Sequence, residues 1–158
     1  MAERVSAGLV MYRVRDNRLE VFLAHPGGPF TASKDDGYWT IPKGEGRKSE
    51  SLLQAAEREF EEEVGIKPTG PYESLGSIIQ KGGKTVHAWA FPGDTPAGWV
   101  HHSNTYTIEW PPRSGMQREF PEMDRSGFFP MQEARRKLKE SQIELIERLE
   151  HWLQGSED

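Results

Sequence analysis

The 158-residue sequence contains no cysteine. That absence excludes disulfides, thiolate zinc centres and a cysteine nucleophile together. It fits a reducing compartment without requiring one. No apolar run approaches the roughly 20 residues that span a bilayer, so no membrane partner is expected. Residues 1–10 have no apolar stretch behind a basic start, so no secretory leader is expected, and the expected location is cytoplasmic. The chain also lacks a basic excess. Its formal net charge is −5, which disfavours broad binding to nucleic acid, and no nucleic-acid partner is expected. An anionic small substrate is not excluded, because a bound metal reverses the local sign. Internal repeats and low-complexity tracts are absent.

The length suits a single domain over residues 1–158 that buries its own core. Residues 6–12 and 19–24 read as strands joined by a turn at Asp16-Asn17. The two prolines and two glycines between His25 and Pro29 must leave the sheet. Residues 38–41 read as a short extended segment ended by Pro42 and Gly44. A helix opens at Ser49 or Glu50, with Ser49 as its N-cap, and runs to Val64 before Gly65 stops it. Residues 75–80 and 85–91 read as a second hairpin around Gly82-Gly83. Residues 92–127 form a long, proline-punctuated connection in which only 105–110 reads as a strand; such connections are usually functional. Residues 127–129 read as a last strand, and 131–138 and 141–153 as C-terminal helices. In the second, Ile143, Ile146, Leu149 and Leu153 keep helical spacing. Strands alternating with separated helices predict an α/β layered domain.

The chemistry concentrates between Gly44 and Ile66. Glu59, Glu62 and Glu63 stand at i, i+3 and i+4 and share one helix face. Leu53, Ala56, Phe60 and Val64 fall on another, so one side of the helix can be buried while three carboxylates point elsewhere. Three like charges so close repel unless a cation lies among them. Carboxylate oxygens with room for water are the ligands Mg²⁺ or Mn²⁺ prefers. Arg58 stands four residues before Glu62 and can orient its carboxylate. On helical spacing alone, a solvated acidic face explains the glutamates better than a site does.

The full spacing reverses that balance. Gly44, Glu50, Arg58, Glu59, Phe60, Glu62, Glu63, Gly65 and Ile66 fill every fixed position of G-x5-E-x7-R-E-U-x-E-E-x-G-U, where U is a bulky apolar residue. Phe60 stretches the pattern as an aromatic at the first U. Chance agreement is on the order of one in 10⁸ per start position. The segment resembles the Nudix box, and the elements on both sides resemble the Nudix α/β/α sandwich, a mixed sheet between helices.

The resemblance implies a hydrolase that attacks phosphorus in a nucleoside diphosphate linked to a second group, with Mg²⁺ or Mn²⁺ as cofactor. It implies Glu59, Glu62 and Glu63 as metal ligands, with Gly44 supplying backbone and often a carbonyl ligand. Arg58 orients a glutamate and Glu50 braces the loop. The general base is Glu59 or a carboxylate from a later loop, here Glu122, with Glu119 a weaker rival. Lys43, directly before Gly44, is similar to the phosphate-contacting lysine of the dinucleoside polyphosphate and diphosphoinositol polyphosphate branches.

Substrate choice in this family lies outside the box. Phe30 and Lys34 give the loop after His25 an aromatic and a cation. Arg113 and Arg118 lie among aromatics near Glu122, and arginine suits phosphate while Trp or Phe suits a base face. His87 is a strand residue that could reach a phosphate or base. The opening strand, the turn after His25 and the stretch from Glu109 to Gly115 resemble bacterial predicted nucleoside triphosphate pyrophosphohydrolases close to the diadenosine tetraphosphate hydrolases. The expected substrates are therefore dinucleoside polyphosphates or nucleoside triphosphates. Nucleotide sugars come next, and diphosphoinositols are disfavoured by the acidic balance. A non-catalytic nucleotide-sensing domain is the alternative of a different class. The expected assembly is a monomer or homodimer.

Overall fold

The computed structural model describes residues 5–155. The element order is β1 (Val5–Arg15), β2 (Arg18–Pro26), β3 (Lys43–Glu45), α1 (Leu52–Val64), β4 (Glu73–Ile79), β5 (Thr85–Pro92), β6 (Thr105–Glu109), β7 (Gln117–Pro121), β8 (Met123–Pro130), α2 (Met131–Lys137), a 3₁₀ turn (Glu140–Gln142) and α3 (Ile143–Gly155). The main sheet runs β4-β5-β1-β2-β8, with β3 also paired to β1. β1 pairs parallel with β5 and antiparallel with β2 and β3, so the sheet is mixed.

Period-two alternation explains the layers. Ala7, Leu9 and Met11 of β1 and Phe22 of β2 pack with Ala55, Ala56, Phe60 and Val64 of α1. Val10, Tyr12, Val21 and Leu23 face the opposite way, toward Met131, Ala134, Leu145, Ile146 and Leu149 of α2 and α3. Residues 6–12 are buried throughout, as a strand covered on both faces must be, and hence read as a nearly unbroken apolar run. The expected α/β/α sandwich is the observed one. Each fully buried Phe or Leu stabilises it by roughly 1.5–3 kcal/mol.

Asp16 and Asn17 both adopt positive φ, at 54° and 63°, as a two-residue hairpin turn demands. Several boundaries differ from expectation. The N-cap of α1 is Ser51, not Ser49: Ser51 accepts from the backbone of Gln54, and the Gln54 side chain accepts from the Ser51 backbone. Ser49 lies in the approach loop with φ 90°. Residues 38–41 form only isolated bridges, Thr40 to Ala24 and Trp39 to Leu138; the regular strand comes later, at Lys43. The second C-terminal helix begins at Ile143, behind the 3₁₀ turn.

The largest difference is in the long connection. Residues 117–121 form a strand that pairs with β6 in a separate two-stranded ribbon. The ribbon is mostly exposed, so β7 carries no core-facing alternation to announce it. The last strand starts at Met123 rather than Gly127, with a register shift opposite His25 and Pro26. Among the described residues, no helix is long and apolar enough to cross a membrane.

Candidate active site

The site forms where β3 delivers its backbone to α1. Ala7 pairs with Gly44 and Gly8 with Lys43, which seats the approach loop on the central strand. From the other side, the buried Gln142 accepts from the Ile41 backbone N–H at 2.9 Å and exchanges hydrogen bonds with Thr40. The segment entering Lys43 and Gly44 is thus held by the sheet and by a C-terminal turn. At the far end of α1, Gly65 closes the helix in the left-handed region, φ 80°, its N–H donating to Glu61, a conformation that glycine adopts without steric cost.

A pocket of about 350 Å³ opens there, lined by Lys43, Gly44, Glu45, Arg47, Arg58, Glu59, Glu62, Glu63, Asn104, Glu122 and Met123. Gly44 lies against Glu59 so closely that a β-carbon at residue 44 would stand 2.1 Å from the Glu59 carboxyl carbon. Glu122 comes from the short link between β7 and β8. Its backbone N–H donates to Asn104 at 2.8 Å and its carbonyl accepts from Gly27 at 2.9 Å, while Asn104 N–H donates to the Glu62 carbonyl at 2.9 Å. Three remote segments are therefore tied to the end of α1.

Arg58 organises the acids. Its Nε donates to Glu50 Oε2 at 2.7 Å, and Nη1 donates to Glu59 Oε1 at 2.9 Å and to Glu62 at 3.3 Å. The expected pair with Glu62 exists, but Glu50 is the shortest contact. The Arg58 bonds, with help from the Arg47 backbone, hold the Glu50 carboxyl down at about 2. Those same bonds to Glu50, and then to Glu59, raise Arg58 and keep it a cation.

Glu63 is the exceptional acid. It is only 3% exposed, and its Oε1 has no hydrogen-bond partner among the described residues. Burial, then the neighbouring Glu59 charge, pushes its carboxyl well above the ordinary range. Leaving a carboxylate oxygen buried and unpaired costs about 1–3 kcal/mol or more. Burial also lowers Lys43 to about 8, reinforced by Lys84 and Lys139 and opposed by Glu63 and Glu59. Burial, then Glu59, raises Glu122.

The donor set fits a hard divalent cation. It consists of carboxylate oxygens, one of them buried without a partner among the described residues, the hard oxygen ligands that Mg²⁺ or Mn²⁺ prefers. Among the described residues, no group of three or more acids or histidines is placed so that it could hold a metal ion as it stands; Arg58 partly occupies Glu59 and Glu62 instead.

Of the residues singled out in the sequence, Lys43, Gly44, Arg58, Glu59, Glu62, Glu63 and Glu122 meet in this pocket, and Phe30, Lys34, His87, Arg113 and Arg118 do not line it. Phe30 is 66% exposed and stands edge-on to Trp110, ring centres 5.3 Å apart. The Lys34 side chain is exposed, and its carbonyl faces the buried His25 ring at 2.6 Å. His87 is half-buried in β5, between Ala7 and Ser77. Arg113 sits at the ribbon tip with φ 63°, and Arg118 lies over the Phe120 ring. Trp39 is core, packed on Phe129 and His25. Arg47 and Asn104 line the pocket without having been foreseen. Arg47 lay inside the motif at a variable position, and Asn104 in the connection carried no signal at all.

Comparison with known proteins follows the same lines. The profile of the family described as the NUDIX domain matches residues 2–149. No curated protein matches the chain in sequence. Among solved structures, the NUDIX domain of Shewanella oneidensis NrtR, complexed with ADP ribose, superposes with TM-score 0.68 at 18% identity, covering 97% of this chain and 90% of that one. A C. elegans Ap4A hydrolase in a binary complex gives 0.67 at 24% identity, covering 96% and 98%. A mutT/nudix family protein from Listeria innocua gives 0.63 at 19% identity, covering 99% and 97%. At these identities the neighbours establish a shared fold.

Proposed function

The chain belongs to the Nudix family, and on that premise we propose that it is a pyrophosphohydrolase that cuts phosphoanhydride bonds in nucleoside diphosphate-linked substrates with Mg²⁺ or Mn²⁺. One observation carries the reading: Glu59, Glu62, Glu63 and Glu122 share a pocket with Lys43, and the buried Glu63 oxygen lacks a partner among the described residues.

Glu59, Glu62, Glu63 and the Gly44 backbone are the residues that hold the metal. Bound there, a divalent ion would supply Lewis-acid chemistry: a more acidic attacking water and an offset to the charge on the leaving phosphate. The chain supplies the rest. Arg58 fixes the orientation of Glu59 and Glu62, and Glu50 fixes Arg58. Lys43 presents a cation to substrate phosphate in partly desolvated surroundings, where the attraction is stronger than in water. Glu122, its carboxyl raised by burial and by Glu59, is suited to accept the proton of the attacking water; Glu59 is the other candidate base.

Dinucleoside polyphosphates and nucleoside triphosphates are the first-ranked substrates, supported by Lys43 before Gly44. Phe30, Lys34, Arg113 and Arg118 belong to a lip and a ribbon that both reach the pocket at Glu122, where Gly27 is hydrogen-bonded. They serve as outer contacts for base and phosphate, with His87 a further candidate. A second reading, ligand sensing without turnover, is favoured by the ADP ribose bound to the NrtR domain. The complete set of box acids favours turnover. In either case the partner is a small nucleotide.

The test is a panel of nucleoside triphosphates, diadenosine polyphosphates, nucleotide sugars and diphosphoinositols incubated with Mg²⁺ or Mn²⁺. Turnover of at least one, abolished by EDTA, is expected. Nucleotide binding with no turnover of any member would establish the sensor instead.

A further inference from the structure

Asn104 is the one neutral amide among the described residues that line the pocket, whose other side chains, Met123 apart, are acids and cations. Its main chain is pinned at both ends: N–H to the Glu62 carbonyl at 2.9 Å, and carbonyl from Glu122 N–H at 2.8 Å. The residue is therefore fixed between two acids of the site by bonds that do not involve its side chain. The side chain is exposed, and among the described residues its one contact of hydrogen-bond length is Oδ1 with Ser103 Oγ at 3.3 Å. Ser103 Oγ is itself fixed, since it accepts from Met123 N–H at 3.0 Å and donates to the Asn104 carbonyl at 2.9 Å. Ser103 has a single hydroxyl proton, which the nearer Asn104 carbonyl takes, so Oδ1 is at most a weak second acceptor; Nδ2, which can only donate, has no partner among the described residues.

We propose that Asn104 is a substrate-binding residue of this site, its Nδ2 donating to a non-bridging phosphate oxygen of the nucleotide. The chemistry favours an amide here. A lysine or arginine at 104 would pair with the surrounding glutamates, as Arg58 does, and would compete with a metal for them. A neutral donor attracts phosphate oxygen without neutralising those acids. Pinning the main chain before substrate arrives also reduces the ordering cost of the contact. The inference rests on the hydrolase reading but concerns binding, so it is measurable apart from turnover.

Asn104→Ala and the isosteric Asn104→Asp keep both main-chain bonds, so thermal midpoints within a few degrees of the parent are expected. Calorimetry with ADP, calorimetry with Mg²⁺ alone, and KM and kcat on the fastest panel member are then compared. Loss of one neutral hydrogen bond should weaken ADP and raise KM about tenfold in Asn104→Ala with kcat less affected. Asn104→Asp should weaken ADP further while Mg²⁺ binds as well as or better than in the parent. Weaker ADP beside unchanged Mg²⁺ affinity in Asn104→Ala is what a merely structural role does not produce; in Asn104→Asp the added negative charge by itself moves nucleotide and metal in opposite directions. ADP affinity and KM unchanged in both variants, or metal and nucleotide affinity falling together, would overturn the proposal. If the parent turns over the panel and the variants match it, only this inference fails. If the parent neither binds ADP nor turns over any member, both readings fail.

Discussion

Gly44 and Glu59 are in contact across the joint between β3 and α1, with space for no more than a hydrogen on the Gly44 α-carbon: a β-carbon there would lie 2.1 Å from the Glu59 carboxyl carbon and 2.4 Å from its Oε2. The carboxylate cannot keep its place beside a larger residue. Gly44→Ala is therefore expected to lower kcat at least about 100-fold, the scale set by misplacing a reacting group by an ångström. Cooperative thermal unfolding should persist, because the displaced group is at the pocket and not in the core. Measured kcat within threefold of the parent would refute the assignment of Glu59 to the site.

Glu63 is expected to trade stability for function. Its buried Oε1 has no partner among the described residues, so Glu63→Gln should fold with equal or greater stability in urea, the buried charge being the costly form. The same change should reduce kcat by about 10²-fold or more, as the loss of a transition-state charge stabiliser does. Mg²⁺ should raise the thermal midpoint of the parent and not that of the variant, because only a ligand bound to the folded state shifts the midpoint. A variant that retains both activity and the Mg²⁺ shift would remove Glu63 from the metal set.

Glu50 makes acid stability depend on the loop. Its carboxyl is lowered from 4.5 to about 2 by Arg58. A depressed carboxylate stabilises the fold above its unfolded value, and that contribution fades as pH falls from about 4.5 toward about 2. Glu50→Gln should therefore lower stability near neutrality and close the gap to the parent across that interval, read from urea midpoints at several pH values. A gap independent of pH would mean that the ion pair does not carry the effect.

Gln142 supports the site from about a hundred residues away. Removing its amide in Gln142→Leu leaves the Ile41 N–H, now bonded at 2.9 Å, unpaired in the core. The expected loss is about 1–3 kcal/mol in denaturant unfolding, with a smaller fall in kcat. Unchanged stability would show that the backbone bonds of the loop before Lys43, to β1, to Ala24 of β2 and to Lys137 and Lys139, hold it without the Gln142 amide.

Legibility in the sequence followed the physics of each segment. Glu59, Glu62 and Glu63 could be grouped because a helix has a fixed period. Gly44, Glu50 and Arg58 could be tied to them because they stand close along the chain. Even so, Glu63 was expected on an acidic face, and the structure buries it beside Phe60 and Val64. A period gives angles around an axis; it does not say how deep the neighbouring strands reach. Lys43 came with its neighbours. Glu122 could be nominated only by resemblance, since no local signal links it to α1.

What the sequence by itself determined is therefore the local part: the turn at Asp16-Asn17, the strands on either side of it, the helix with its glycine stop, and the motif that places the chain in the Nudix family. What only the tertiary structure decided is which distant segments close the pocket. The ribbon of β6 and β7, the start of β8 at Met123, and the meeting of Gly27, Asn104 and Glu122 with the end of α1 depend on backbone hydrogen bonds. Those bonds are made by groups every residue carries, so nothing in the side-chain order announces them.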